Sequence, residues 1–284
     1  MEEAIRQFKF TILIITLSLT CCSSFKLIYS LVDDFIEREV YFFLKLDEEG
    51  EAFLKDQVDE LMAWHNTAML PRYAAYLRHQ ADQLDNGVFD AVAIAQSWAE
   101  GRALLKDAVA GAARYAAGVL VRHTNSKNID YIRQRMLVRR KEKQEKLLRP
   151  KVERIEERVE RLLNSFERFM GNLNDAQQDL LRQHAVSTVD DAGKLLDNHS
   201  QRQSAFLTFL AGSSDEREIA SFIEGILLRS HEFVDPGYLK FSNARMNRFA
   251  RLLVDILAAS TQRQRMLTAT KLRNYAQDCT DLSG

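Results

Sequence analysis

Proline, glycine and cysteine are all scarce in this chain of 284 residues, which holds 3 Pro, 11 Gly and 3 Cys. Proline removes a backbone donor and glycine raises the entropic cost of an ordered helix. Their shortage therefore leaves room for long uninterrupted helices and points to an all-α chain. No stretch alternates apolar and polar residues for long enough to form a useful strand. Neither sign of charge dominates: Lys and Arg number 39 against 40 Asp and Glu. The total charge thus implies no strongly charged partner. Catalytic signatures are missing as well. There is no Gly-x-Ser-x-Gly, no phosphate loop and no Cys pair, and nothing calls for a cofactor. His65, His79, His123, His184, His199 and His231 are scattered, and none joins a paired motif of the kind that binds zinc.

What is present is helical periodicity. A helix is expected from Asp47, with Phe53, Leu54, Val58, Leu61, Met62 and Trp64 on one face, broken at Leu70-Pro71. Pro71 suits the first turn of the next helix, which carries Tyr73, Tyr76 and Leu77 and ends near Asp85-Asn86-Gly87. Residues 91–120 are rich in alanine. Gly101, Gly111 and Gly118 inside them either permit close helix contact or split the stretch in two. Residues 128–149 are basic. After Pro150, the residues Val152, Ile155, Val159, Leu162, Leu163, Phe166, Phe169 and Met170 mark an amphipathic stripe stopped by Gly171. An elongated antiparallel pair bending near Pro150 is expected here. Further helices follow, with a loop and cap at residues 212–215 and a turn at Asp235-Pro236-Gly237.

The only long uncharged apolar run is residues 10–19. At that length it matches the core of a signal peptide and falls short of the ~20 residues that span a bilayer. Leu19-Thr20-Cys21-Cys22-Ser23-Ser24 follows and resembles a bacterial lipobox, with Leu19 three positions before Cys22. Cys22 is accordingly the expected lipid attachment site. Cys21 leaves with the signal, and Cys279 remains as a small packing residue. The alternative is an uncleaved anchor helix running on through Phe25, Leu27 and Ile28. The expected organisation is a signal peptide over residues 1–21, a lipid-anchored tether over 22–30 and a single helical domain over 31–284, an elongated multi-helix bundle.

Tyr29, Leu61-Met62-Ala63-Trp64-His65 and Met69-Leu70-Pro71-Arg72-Tyr73-Ala74, taken with the lipobox, resemble an uncharacterised family of proteobacterial helical lipoproteins. That resemblance implies a place in the cell envelope and no known activity. Trp64, His65, Pro71 and Tyr73 become candidate interaction residues, with His65 read first as a hydrogen-bonded structural histidine. Leu173-Asn174-Asp175-Ala176-Gln177 and Ala259-Ser260-Thr261-Gln262-Arg263-Gln264 also echo the Leu-Thr-x-x-Gln motif of Spy-type periplasmic chaperones. Ordinary helix capping explains the same residues.

Basic residues outnumber acidic ones over 133–161, where Arg133, Arg135, Arg139, Arg140, Lys141 and Lys143 form a candidate basic face. An exported protein meets no nucleic acid, so the face is read as solvated helix surface or as a contact to anionic head groups. Acidic residues dominate 33–60, and that opposite polarity could dock the N-terminal helix on the basic one. The resulting expectation is a lipid-anchored, non-enzymatic interaction or chaperone-like module. It would face the periplasm and bind the membrane through Cys22. Ser23 after the acceptor directs it to the outer membrane by the usual sorting rule for such proteins, and its envelope protein partner is unknown. The rival is an envelope enzyme that uses His65 and nearby carboxylates on cell-wall or lipid substrates.

Overall fold

A computed structural model describes residues 24–212 and 215–284. Cys22, the signal peptide and Ser213-Ser214 of the expected loop lie outside the described residues. Among those described, the chain is all-α: no strand occurs. The order is α1 (Ser24–Tyr29), α2 (Val32–Phe43), α3 (Glu48–Trp64), a π-helical turn (His65–Met69), α4 (Leu70–Asp85), α5 (Ala91–His123) and α6 (Ser126–Leu148). Then come α7 (Lys151–Met170), α8 (Asp175–Thr188), α9 (Asp191–Gly212), α10 (Glu216–Leu228), a short α11 (Ser230–Phe233), α12 (Tyr238–Ala258) and α13 (Gln262–Ser283). Asp47, Asp90, Asn125, Asn174, Asp215 and Thr261 accept from the first free N–H groups of α3, α5, α6, α8, α10 and α13 respectively. Each offsets part of the cost of an unpaired helix terminus.

Leu70-Pro71 does not end the helix as the sequence suggested. The backbone stays helical from α3 into α4, and the turn before the proline widens instead. Leu70 N–H donates to the carbonyl of His65, five residues back. Pro71 has no N–H and its ring crowds the preceding turn, so a wide turn there removes the clash without breaking the axis.

α5 is one unbroken helix, and its glycines serve close contact. A Cβ on Gly118 would meet Gln57, one on Gly111 would meet Trp64, and one on Gly101 would meet Tyr76. The three contacts run in opposite order along the two segments, so α3, the π turn and α4 together lie antiparallel on α5. α13 packs along α4 in the same manner, with Arg78 donating to Thr280 at 2.7 Å and Arg273 to Asp82 at 2.7 Å.

The expected antiparallel pair about Pro150 does not form. α6 packs on α9 and α2, whereas α7 packs on α8 and α13. The backbone is extended at Arg149 and Pro150, and the two helices go to different neighbours. Apolar packing is correspondingly divided. One cluster joins Leu44, Leu54, Val58, Val119, Ile129, Ile132 and Leu207, and another joins Met170, Leu173, Leu181, Leu252 and Ile256.

Candidate functional site

The candidate residues converge at the π turn. Trp64 and His65 open it, and Tyr73 follows one turn into α4. The His65 ring lies 5.5 Å from that of Tyr73 and 6.2 Å from that of Trp64. Sequence reasoning missed the closing member as a partner: the Tyr29 ring stacks on His65 at 5.8 Å. The Tyr29 hydroxyl donates to Asn66 Oδ1 at 2.5 Å and lies 2.7 Å from His65 Nδ1. A phenol has one proton, so when it goes to Asn66 Oδ1 the contact with His65 is made by an Nδ1–H donor. Tyr29 stands beside Trp64-His65 in the family resemblance, but the sequence ties it to His65 by nothing more than aromatic residues at i and i+4, Phe25 and Tyr29, on one face of α1. Pro71 is exposed and shapes the backbone in the first turn of α4.

Burial pushes the His65 pKa below its ordinary value, so the ring is neutral at pH 7. Burial also pushes Tyr29 up to about 12 and Tyr73 upward, keeping both protonated as donors. Nearby Cys279 is buried and its thiol is raised, first by burial and then by the Asp278 carboxylate. It is a packing residue, as expected, with little thiolate character. The Trp64 indole fills the notch at Gly111, with the Arg114 guanidinium 5.5 Å over its ring.

Tyr29, Trp64 and His65 border a cavity of about 410 Å³, whose other walls are aliphatic and include Val32, Val109 and Ile223. No Asp or Glu lines it. A second cavity of about 410 Å³ is walled by Val40, Phe43, Leu54 and Val58, with Glu39 and Gln57 among its few polar residues. Ile36, Leu61, Ala112 and Ala116 line both, so the two form one apolar channel beneath α2. α2 covers it without burying a single residue fully, and Phe35 remains 53% exposed.

The basic face is divided between internal and external work. Arg139 donates to both Glu39 oxygens, at 2.8 and 3.1 Å. Arg135 donates to the Phe42 carbonyl at 3.0 Å and stacks 3.7 Å over that ring. The acidic N-terminal helix therefore docks on the basic one. Arg133 pairs with Asp130, and Arg140 reaches Gln203 at 3.4 Å. Lys141 and Lys143 face solvent.

The two Gln motifs are capping boxes, Asn174 with Gln177 and Thr261 with Gln264. They also face each other. Gln264 Nε2 donates to Gln177 Oε1 at 2.9 Å and to the Asn172 carbonyl at 2.9 Å, and Gln177 Nε2 donates to the Ile256 carbonyl at 3.3 Å.

Among the described residues, no group of His, Cys, Asp or Glu could hold a metal ion, and no helix is long and apolar enough to cross a membrane. A family model described as a family of unknown function (DUF6279) matches residues 42–228. No curated protein and no solved structure matches the chain.

Proposed function

The chain belongs to the DUF6279 family of unknown function, and from that premise we propose that it is a lipid-anchored, non-enzymatic docking module of the bacterial cell envelope. The lipobox-like Leu19-Thr20-Cys21-Cys22 segment supports lipid attachment at Cys22, and with it an outer-membrane anchor and a domain facing the periplasm. The observation that carries the docking role is the apolar channel beneath α2. Its occupant is an amphipathic segment of another envelope polypeptide with acidic residues along its flank. α2 itself supplies the pattern: an amphipathic helix with Asp33, Asp34 and Glu39, laid over apolar walls and held by Arg135 and Arg139. A chaperone-like action follows when the segment belongs to an unfolded chain. The cavity at His65 contains a neutral imidazole and no carboxylate, an arrangement suited to binding rather than to paired acid–base hydrolysis.

Ala116 is exposed and lines both halves of the channel. Ala116→Arg should change stability by no more than about 0.5 kcal/mol. It should abolish protection of a reduced, unfolded model protein against aggregation. Unchanged protection would remove the channel from the mechanism. For the anchor, Cys22→Ser should lose incorporation of a tagged fatty acid and accumulate a larger precursor. Label retained in that variant would sink the lipid assignment.

A further inference from the structure

Apart from the channel, two hollows of about 400 and 670 Å³ adjoin at Trp98 and Met246, which line both. The smaller is bounded by α5, α7, α8 and α12, the larger by α5, α9, α12 and the segment around α11. Arg158, Arg161 and Arg245 line the first, and Arg102, Lys106 and Arg202 line the second. No Asp or Glu lines either hollow, in a chain whose overall charge is −1. Two nearby carboxylates are already engaged. Asp191 is held by Arg248 at 2.5 Å, and Glu157 is bound by Arg149, with Arg161 at the edge of that pair at 3.9 Å. Arg229 at the far end is neutralised by Glu224 and Glu232. Among the described residues Arg102, Lys106, Arg202 and Arg245 form no ion pair.

The cleft is also short of acceptors. Trp98 Nε1, Asn198 Nδ2 and Arg202 Nε are buried donors without a hydrogen-bond partner, and all three residues line it. Asn198 is only 3% exposed. Buried donors normally find acceptors, so three unmet ones along one cleft are available to the oxygens of water or of a ligand. Positive charge is felt inside the cleft. Arg158 is pushed down by burial and by Arg245, and His184 by burial and by Arg158, with Asp191 offsetting part of both. Trp98, Leu162 and Phe249 supply an apolar wall beside these cations.

We propose that this cleft is a binding site for a phosphate ester, its phosphoryl oxygens held by Arg158, Arg161 and Arg245 and its organic part laid against Trp98 and Phe249. Guanidinium groups suit phosphoryl oxygens because their paired N–H donors match the spacing of the oxygens. An anionic lipid headgroup and a free phosphate ester present the same chemistry.

Trp98 provides the readout. In a Trp64→Phe chain it is the only tryptophan, and its emission should change saturably on titration with glycerol 3-phosphate or with vesicles of phosphatidylglycerol in phosphatidylcholine. Response to the soluble ester identifies a free ligand, and response only to the anionic vesicles identifies a headgroup. Either Arg158→Gln or Arg245→Gln should weaken binding at least tenfold. Arg182→Gln, whose side chain pairs with Asp179 on α8 and lines neither hollow, should leave it unchanged. Calorimetric titration of the otherwise unaltered chain gives the same comparison without replacing Trp64. No saturable response to either probe would overturn the site. So would equal weakening by Arg182→Gln and Arg245→Gln.

Discussion

Replacing Gly111 with alanine sets two effects of opposite sign against each other at one atom. In an exposed helix, Gly→Ala gains about 1 kcal/mol through propensity alone. Here the new methyl would stand 1.9 Å from Trp64 Cζ2 and 2.1 Å from Cη2. Unbonded carbons rest at about 3.5–4.0 Å, so the indole must retreat by more than an ångström. Overpacking of that kind costs about 1–3 kcal/mol, and a contact this close belongs at or beyond the upper end. The net loss should be about 2 kcal/mol, a fall in Tm of about 4–8 °C for a chain of this size. The decisive comparison uses Trp64→Ala, which by itself should cost about 3 kcal/mol. In that background the notch is empty, and Gly111→Ala should become stabilising by about 1 kcal/mol. Thermal unfolding followed by circular dichroism on the four chains reads the reversal. A Gly111→Ala chain that is more stable than the parent, or an equal effect in both backgrounds, would refute the close contact between α5 and the π turn.

Gln264→Leu should cost about 1–3 kcal/mol, because it leaves the Gln177 amide buried without its partner. Adding Gln177→Leu should cost less than the sum of the two single changes, and strict additivity in urea titrations would deny the pairing. The histidines set the pH response. His65, His184 and His199 all have pKa values lowered in the folded chain, first by burial. The unfolded chain therefore binds these protons first as pH falls. Their contribution to stability is present above the ordinary histidine pKa of about 6.5 and is lost below it. His65→Gln should flatten the slope of stability between pH 7 and pH 5, and an unchanged slope would mean that this imidazole titrates normally.

Periodicity made the helices legible because a repeat of three and four residues is local information. The depth of burial was not. The stripe on α7 runs from Val152 to Met170 in the sequence, yet Val152 is 65% exposed and Met170 is 3% exposed. α7 draws its cover from α8 and α13, and only contacts far along the chain decide where that cover ends. The glycines of α5 were ambiguous for the same reason, since their purpose is set by Trp64, Tyr76 and Gln57 on another segment. Pro71 misled because its effect on the preceding carbonyl admits two solutions, a break or a wide turn, and neighbouring packing selects the second. At the candidate site Trp64, His65 and Tyr73 were readable by proximity in sequence, whereas Tyr29 had to be brought from a separate helix. The basic cleft draws its arginines from four helices and has no signature in any one of them.

The docking of α1 has a mechanical consequence for an anchored protein. Residues 22–30 read as a lipid-anchored tether, and within them Ser24–Tyr29 is helical and fastened to α13 and the π turn. Phe25 meets Tyr275 at 5.9 Å, Lys26 pairs with Asp281 at 2.5 Å, and Tyr29 reaches His65. From Cys22 to Ser24 an extended chain spans at most about 7 Å. That is about the depth of one leaflet's headgroup layer, roughly 5–7 Å. A lipid on Cys22 would therefore moor the domain like a hull against a quay, with the end carrying α1 and α13 turned to the bilayer and little freedom to swing. A molecule anchored in that way would be suited to partners that arrive at the membrane surface, and ill suited to ones it would have to reach across the periplasm to meet.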